Sequence, residues 1–260
     1  MECRAMRAIL GQTKLLIIVR RKKQMPNWIK SELSIFNLKP EEYTVLREIF
    51  SSKEPFQKMM PMPAILDDTK SPTPDCIYDI LGMNRGGVRR IDPEFGFRSC
   101  EDERVAIKAM GLEKAVHKLE KADGLDEDDR KNAIQAVKAI EATGYANWYD
   151  WCIDNWGCKW DADSEISESS SFTEPFADPG LVVDLSTPWS PPAGIMKRLT
   201  DMYPEAVFKL RWADEDDFGN AQGMMGATAG VVTEMEIGDK EVFLKRLFQL
   251  SDDDFGVCYH

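Results

Sequence analysis

The stretch from Asn147 to Asp163, NWYDWCIDNWGCKWDAD, constrains this chain more than any other. Four of the seven tryptophans fall within it (Trp148, Trp151, Trp156 and Trp160), with Tyr149, Cys152, Ile153 and Cys158 between them. Indole and phenol rings bury large areas while their N–H and O–H groups require partners, so a cluster this dense dictates how neighbouring elements dock. At helical spacing Trp148, Cys152 and Trp156 share one face, and Asp150 and Asp154 share another. Gly157 stands where a left-handed glycine closes a helix. The spacing predicts a helix ending near Asn155, a tight aromatic turn and an extended exit through Trp160. This signal is architectural and names no reaction.

The rest of the composition narrows the chemistry. At 260 residues and 43% hydrophobic content the chain is globular and large enough for one domain with a sizeable insertion. The net charge of −12 opposes a general binder of phosphate backbones, which would carry a basic face. The first 24 residues hold seven Lys or Arg against one Glu, which leaves the remainder near −18. Only two histidines occur, His117 and the terminal His260, so a Ser-His-Asp or Cys-His site has little to draw on. The six cysteines form no C-x-x-C pair, so the sequence carries no clustered zinc-binding pattern and reads as the reduced thiols of a cytoplasmic protein. The apolar run Leu15–Val19 is far shorter than a membrane span.

Taken in order, residues 1–24 read as a basic leader outside the fold, with Met25 as the expected true start. Leu33–Phe36 is a strand candidate, Glu41 to about Ser51 an amphipathic helix opened by Pro40, and Phe56–Met62 a second strand. Residues 67–146 read as a helical insertion: a short helix at Asp75–Leu81, then helices at Glu101 to Ala122 and Asp126 to Thr143. Between them Arg85, Arg89 and Arg90 flank a Gly-Gly pair, a candidate anion-binding loop with the plainer alternative of local ion pairing. Beyond the tryptophan stretch come a strand at Leu181–Leu185, a proline-stiffened bend, a helix at Ala193–Met202 and a strand at Ala206–Trp212. Asp214, Glu215, Asp216 and Asp217 form an acidic turn. A glycine-rich segment, a last strand or hairpin and a closing helix at Lys240–Leu250 complete the chain, with Val242, Phe243, Leu247 and Phe248 inward.

Several strings carry a resemblance. They are Met25-Pro26-Asn27-Trp28, Met60-Pro61-Met62-Pro63, the run Asn155 to Ala162, Trp189-Ser190-Pro191-Pro192 and Tyr203-Pro204. Together they resemble the YubB-type plasmid and phage proteins, a family with a ferredoxin-like domain and no established biochemical activity. The signature falls on Trp28, Trp156, Gly157, Lys159, Trp160, Asp161, Trp189 and Pro191, with Cys158 standing where the family pattern has Thr. The resemblance spans about 25–63 and 145–235 and assigns no catalytic residue. It agrees with the order of elements read above: an α+β chain with a ferredoxin-like split βαβ sheet, an inserted helical region and a C-terminal helix. Residues 25–66 would form the first half of that domain and 147–260 the second.

Two functions of different class are compatible with these features. One is a non-catalytic accessory protein of a phage, plasmid or integrated element that binds a host protein, as a counter-defence factor for example, through Asp214–Asp217. It needs no cofactor, metal or membrane, and its charge disfavours nucleic acid. The other is a metal-dependent nuclease or nucleotide-binding enzyme built on the acids around Asp161, with Asp150, Asp154 and Asp163 converging on an ion.

Overall fold

The structure, a computed structural model, describes residues 27–82, 101–172, 179–215 and 221–251. The basic leader, Arg85, Arg89, Arg90, Asp216 and Asp217 lie outside the described residues.

The first element of the described residues is β1 (Trp28–Phe36), whose alternation is strict: Ile29, Ser31, Leu33 and Ile35 are buried on one face, while Lys30, Glu32 and Ser34 point to the other. Helix α1 (Pro40–Phe50) comes next, with Pro40 preset for the first turn and Leu46, Ile49 and Phe50 buried. Then come α2 (Pro55–Met59), a 3-10 turn (Ala64–Leu66), α3 (Cys76–Leu81), α4 (Glu101–Met110), α5 (Leu112–Glu120), α6 (Glu127–Thr143) and α7 (Trp148–Asn155). The remainder is β2 (Asp163–Ser167), β3 (Leu181–Pro188), α8 (Ala193–Met202), β4 (Val207–Asp214), β5 (Gln222–Thr228), β6 (Val231–Met235) and α9 (Lys240–Leu247).

The six strands form one sheet in the order β2-β3-β1-β4-β5-β6, every neighbouring pair antiparallel. β1 lies between β3 and β4, which run parallel to each other and are joined by α8. By the same pattern β3 separates β1 from β2. Two interleaved split βαβ units result, the ferredoxin-like arrangement, with the β5–β6 hairpin extending the sheet beyond β4. The fold is α+β, as the order of elements implies.

One strand differs from the sequence-based expectation. The run Phe56–Met62, expected as the second strand, is helix α2 continued by extended residues. Pro55 occupies the first helical turn, and the N–H groups of Phe56 and Gln57 donate to the Asp161 carboxylate at 2.9 and 2.8 Å. The second strand of the ferredoxin-like unit is instead β2, DSEIS, pairing with β3 from Asp163↔Ser186 to Ser167↔Val182. The inserted helices therefore start directly after α1 and continue to the tryptophan stretch. The expected long helix at Glu101–Ala122 is divided at Gly111, whose φ of +88° is left-handed and ends α4. Of the closing helix, Phe243 and Leu244 are inward while Val242 is exposed.

Two cores result. The sheet face carrying Leu33, Ile35, Val183, Phe208 and Leu210 packs against α1, α2, α7 and α8. The inserted helices have their own core of Ile77, Leu81, Ile107, Leu119, Val137 and Ile140. Helix α6 joins them, since Ala139 belongs to the first core and Ile140 to the second. On the opposite sheet face, the Glu32 carboxylate accepts from the Ser170 hydroxyl (2.5 Å), the Ser171 N–H (2.8 Å) and the Ser34 hydroxyl (3.2 Å), with Arg211 Nη1 at 3.5 Å. The Arg211 guanidinium lies 4.3 Å over the Phe172 ring, and Phe172 packs on Phe243 of α9. The strap before residue 173 and helix α9 thus cover this face.

Helices α7 and α8 meet backbone on backbone. A Cβ at Gly194 would fall 2.2 Å from the Asn155 carbonyl oxygen, and one at Gly157 (φ +86°) would fall 2.6 Å from the Ala193 amide nitrogen. Neither neighbour is a side chain that can rotate away. Gly194→Ala and Gly157→Ala should each therefore cost at least about 3 kcal/mol, in the range of severe overpacking. Gly238→Ala, with nothing within 4 Å of its Cβ position, should stay within about 0.5 kcal/mol. Urea denaturation of the three variants checks this.

Candidate functional site

The sheet end at which β1 begins and β3 and β4 finish gathers most of the signature residues. Trp28 pairs with Pro188, the Trp189 N–H donates to the Asn27 carbonyl at 3.0 Å, and the Glu215 N–H donates to the Trp28 carbonyl at 3.0 Å. Trp160, from the exit of the tryptophan stretch, meets Trp28 edge-on with ring centroids 6.3 Å apart.

The stretch itself folds as its spacing predicts. Asn147 caps α7 by accepting from the Asp150 N–H at 2.9 Å, and Gly157 closes it in the left-handed region. Trp156 is buried between α7, α2 and the sheet: its Nε1 donates to the Met60 carbonyl at 3.0 Å, and its ring is T-shaped against Trp151 at 5.3 Å. Trp160 is only half-buried, unlike Trp156, because the chain turns outward after Cys158.

That outward turn places Lys159 between two indoles. Its ammonium is 4.8 Å from the Trp160 centroid and 5.7 Å from that of Trp189. Trp189 is 43% exposed and holds a φ of +71°, a conformation that costs a non-glycine residue about 1–3 kcal/mol. The turn is held by several bonds: the Thr187 hydroxyl donates to the Ser190 carbonyl (2.8 Å) and the Ser190 hydroxyl to the Gly157 carbonyl (2.6 Å). Pro191 and Pro192 stiffen the entry to α8. Ser71, Trp148, Tyr149, Lys159 and Trp189 line an open cleft of about 320 Å³. Composition and spacing gave no sign that Lys159 and Trp189, far apart in sequence, share a wall.

The titratable groups suggested by sequence are placed differently. Asp161 accepts from three backbone amides, those of Phe56, Gln57 and Ala162, and so caps α2. Asp150 accepts from the Asn147 side-chain amide at 2.9 Å, Asp154 from the Tyr145 hydroxyl, and Asp163 is exposed on β2. These acids do not converge. Among the described residues no three His, Cys, Asp or Glu side chains are grouped to hold a metal ion. Asp214, expected in an exposed turn, is buried at the end of β4, where it completes the strand beside Ile29. Glu215 is half-buried. Cys152 and Cys158 are free and buried. Burial, then the Asp161 charge, pushes the Cys152 thiol up to about 12, and burial pushes Cys158 well above the ordinary thiol range. Neither is a nucleophile at neutral pH. His117 is exposed near Glu120.

Burial raises the Asp161 pKa above its ordinary 3.8, outweighing the three amide donors. The folded state therefore holds this proton more tightly than the unfolded chain. The resulting stability is fully present below the unfolded value and is lost as pH rises through the raised folded one. Asp161→Asn should flatten the stability profile in the window just above that ordinary value. Asp161→Ala, which strands three amides, should cost about 3 kcal/mol at neutral pH. Denaturation curves across a pH series test both.

Among the described residues no helix is long and apolar enough to cross a membrane. No curated protein matches this chain. Among solved structures it is similar to the crystal structure of a protein api92 from Yersinia pseudotuberculosis, at 10% identity and a TM-score of 0.35, over 83% of this chain and 100% of that one. Residues 156–245, from Trp156 through most of α9, match the family described as the ferredoxin-like domain in Api92-like protein.

Proposed function

We propose that this protein is a non-catalytic binding protein, an accessory factor of a phage, plasmid or integrated mobile element that engages a host protein through the Trp189 end of its sheet. A counter-defence role is the form of this function that the resemblance to YubB-type proteins favours. The observation that carries the reading is the half-exposed Trp189, held in a strained backbone conformation beside Lys159. Strain of this kind clusters where a side chain must be presented rather than packed, and exposed aromatic anchors dominate binding energy at interfaces. By contrast, Asp161 and the two thiols of the same stretch are committed to hydrogen bonds or burial. The net charge of −12 suits a basic partner, whose approach it would steer. Glu215, at the same sheet end, would contribute, and Asp216 and Asp217, which follow it in the sequence, are tested with it.

Trp189→Gly is the discriminating variant, because it removes the indole and relieves the left-handed residue together. Its stability should stay within about 1 kcal/mol of the parent, while capture of a defined host protein, identified by mass spectrometry, is lost. Reversing Glu215, Asp216 and Asp217 to Lys, with buried Asp214 kept, should weaken capture most at low salt. Turnover of nucleic acid or nucleotide on adding Mg²⁺ or Mn²⁺, abolished by Asp161→Asn, would overturn the binding reading in favour of the metal-dependent enzyme.

A further inference from the structure

We infer that the Trp189 cleft reads an aromatic side chain that neighbours a carboxylate on the partner polypeptide, the ring stacking on Trp189 and the carboxylate pairing with Lys159. This rests on the binding reading above and names the chemistry that the surface selects.

Position marks out Lys159, whose ammonium lies against two indoles. Lys39, Lys58, Lys197 and Lys245 each hold a carboxylate within 4 Å. Lys159 has no such partner among the described residues, in a chain that carries 45 acids. Its contacts are the faces of Trp160 and Trp189. An ammonium carries three N–H donors, and contact with ring faces leaves donors free for other partners. An incoming carboxylate can therefore add to the ammonium without displacing the rings.

Shape suits a small group. The cleft, about 320 Å³, lies at the small end of ligand pockets and suits one ring with one neighbouring group. Trp148 and Tyr149 stand edge-to-face, centroids 5.8 Å apart, on the same cleft as Trp189. Three aromatic side chains thus line the cleft, against which an entering ring can pack.

The donor set selects the anion. Lys159 is the single cation among the lining residues. One ammonium matches a carboxylate; phosphate sites commonly add Arg forks or several backbone donors. The acidic surface also opposes a polyanionic strand. A bare ring without an acid would shield the ammonium from water and supply no counter-charge.

The test uses the full chain labelled with 5-fluorotryptophan, the Trp189 resonance being assigned by its loss in Trp189→Phe. The probes are acetyl-aspartyl-phenylalanine amide, its asparaginyl counterpart and adenosine monophosphate. The aspartyl dipeptide should shift the Trp189 resonance saturably, and the asparaginyl one should bind about fivefold more weakly, the worth of a half-exposed ion pair. Lys159→Met should remove that difference with an unchanged melting temperature. Equal binding of the two dipeptides, no shift at Trp189, or tighter binding of the nucleotide would each overturn the inference. If the dipeptides fail while Trp189→Gly still abolishes capture of the host protein, the ligand chemistry is wrong and the binding surface stands. If the aspartyl dipeptide binds as expected while capture survives Trp189→Gly, the cleft chemistry stands and the binding surface lies elsewhere.

Discussion

The contact on which the rest of this structure depends is the one between Gly157 and Gly194. No side chain separates the end of α7 from the start of α8, and the Ile195 N–H reaches the Trp156 carbonyl across the gap. α8 is the crossover between β3 and β4, so its starting point fixes where the crossover lies over the sheet. The same approach fixes Trp156 in the core. It also lets the Ser190 hydroxyl reach the Gly157 carbonyl, which ties the turn carrying Trp189 to the turn carrying Lys159. Two missing Cβ atoms thus determine both the packing of the fold and the spacing across the cleft.

The two faces of the sheet are held by different physics. One is apolar and closed by helices. The other buries Glu32 and Arg211, at 2% and 5% exposure, each charge supported by the other and by hydroxyl, amide or ring partners. Such a pair adds little net stability over apolar residues, but loss of either partner leaves a buried charge and is costly. Its consequence here is register. A slip of β1 by one residue would turn Glu32 toward Val183 and Leu210, so the pair excludes that alternative as firmly as the alternation of Leu33 and Ile35 does.

Helix α8 was legible residue for residue, Ala193 to Met202, because prolines precede it and Tyr203-Pro204 ends it. The start of α6 was set by Asp126, whose side chain accepts from the Asp129 N–H. The failures share a cause: the deciding interaction is remote in sequence. Phe56–Met62 has a strand-like composition, and it becomes helical under a cap from Asp161, on the far side of the inserted helices. β2 is too short and polar to announce itself, and exists because β3 offers an edge. Asp214 reads as part of an acidic turn until the pairing of β4 with β1 extends through it. The family match has the same blind spot, since it begins at Trp156 while the strand between β3 and β4 is β1, outside the matched residues. The aromatic content of the site was visible in the sequence; its geometry was not, because Trp28, Lys159 and Trp189 come from three separate segments.

At the cleft, the backbone of Trp189 and the surroundings of Lys159 depart from what stability alone would select. Glycine at position 189 would remove the backbone strain, and a carboxylate beside Lys159 would give that ammonium the partner that Lys39, Lys58, Lys197 and Lys245 have. Either change is small for a chain with 17 glycines and 45 acids. Instead the turn is tied down by the Asn27 carbonyl, the Thr187 hydroxyl and the Ser190 hydroxyl, so that an exposed indole stays in an unfavourable conformation. On the proposed reading, these hydrogen bonds hold the side chain in its binding position before the partner arrives. Such preorganisation lowers the ordering cost of association. In a scaffold whose other tryptophans pack inward or against one another, the proposed binding surface therefore belongs at the end of the sheet rather than on either covered face.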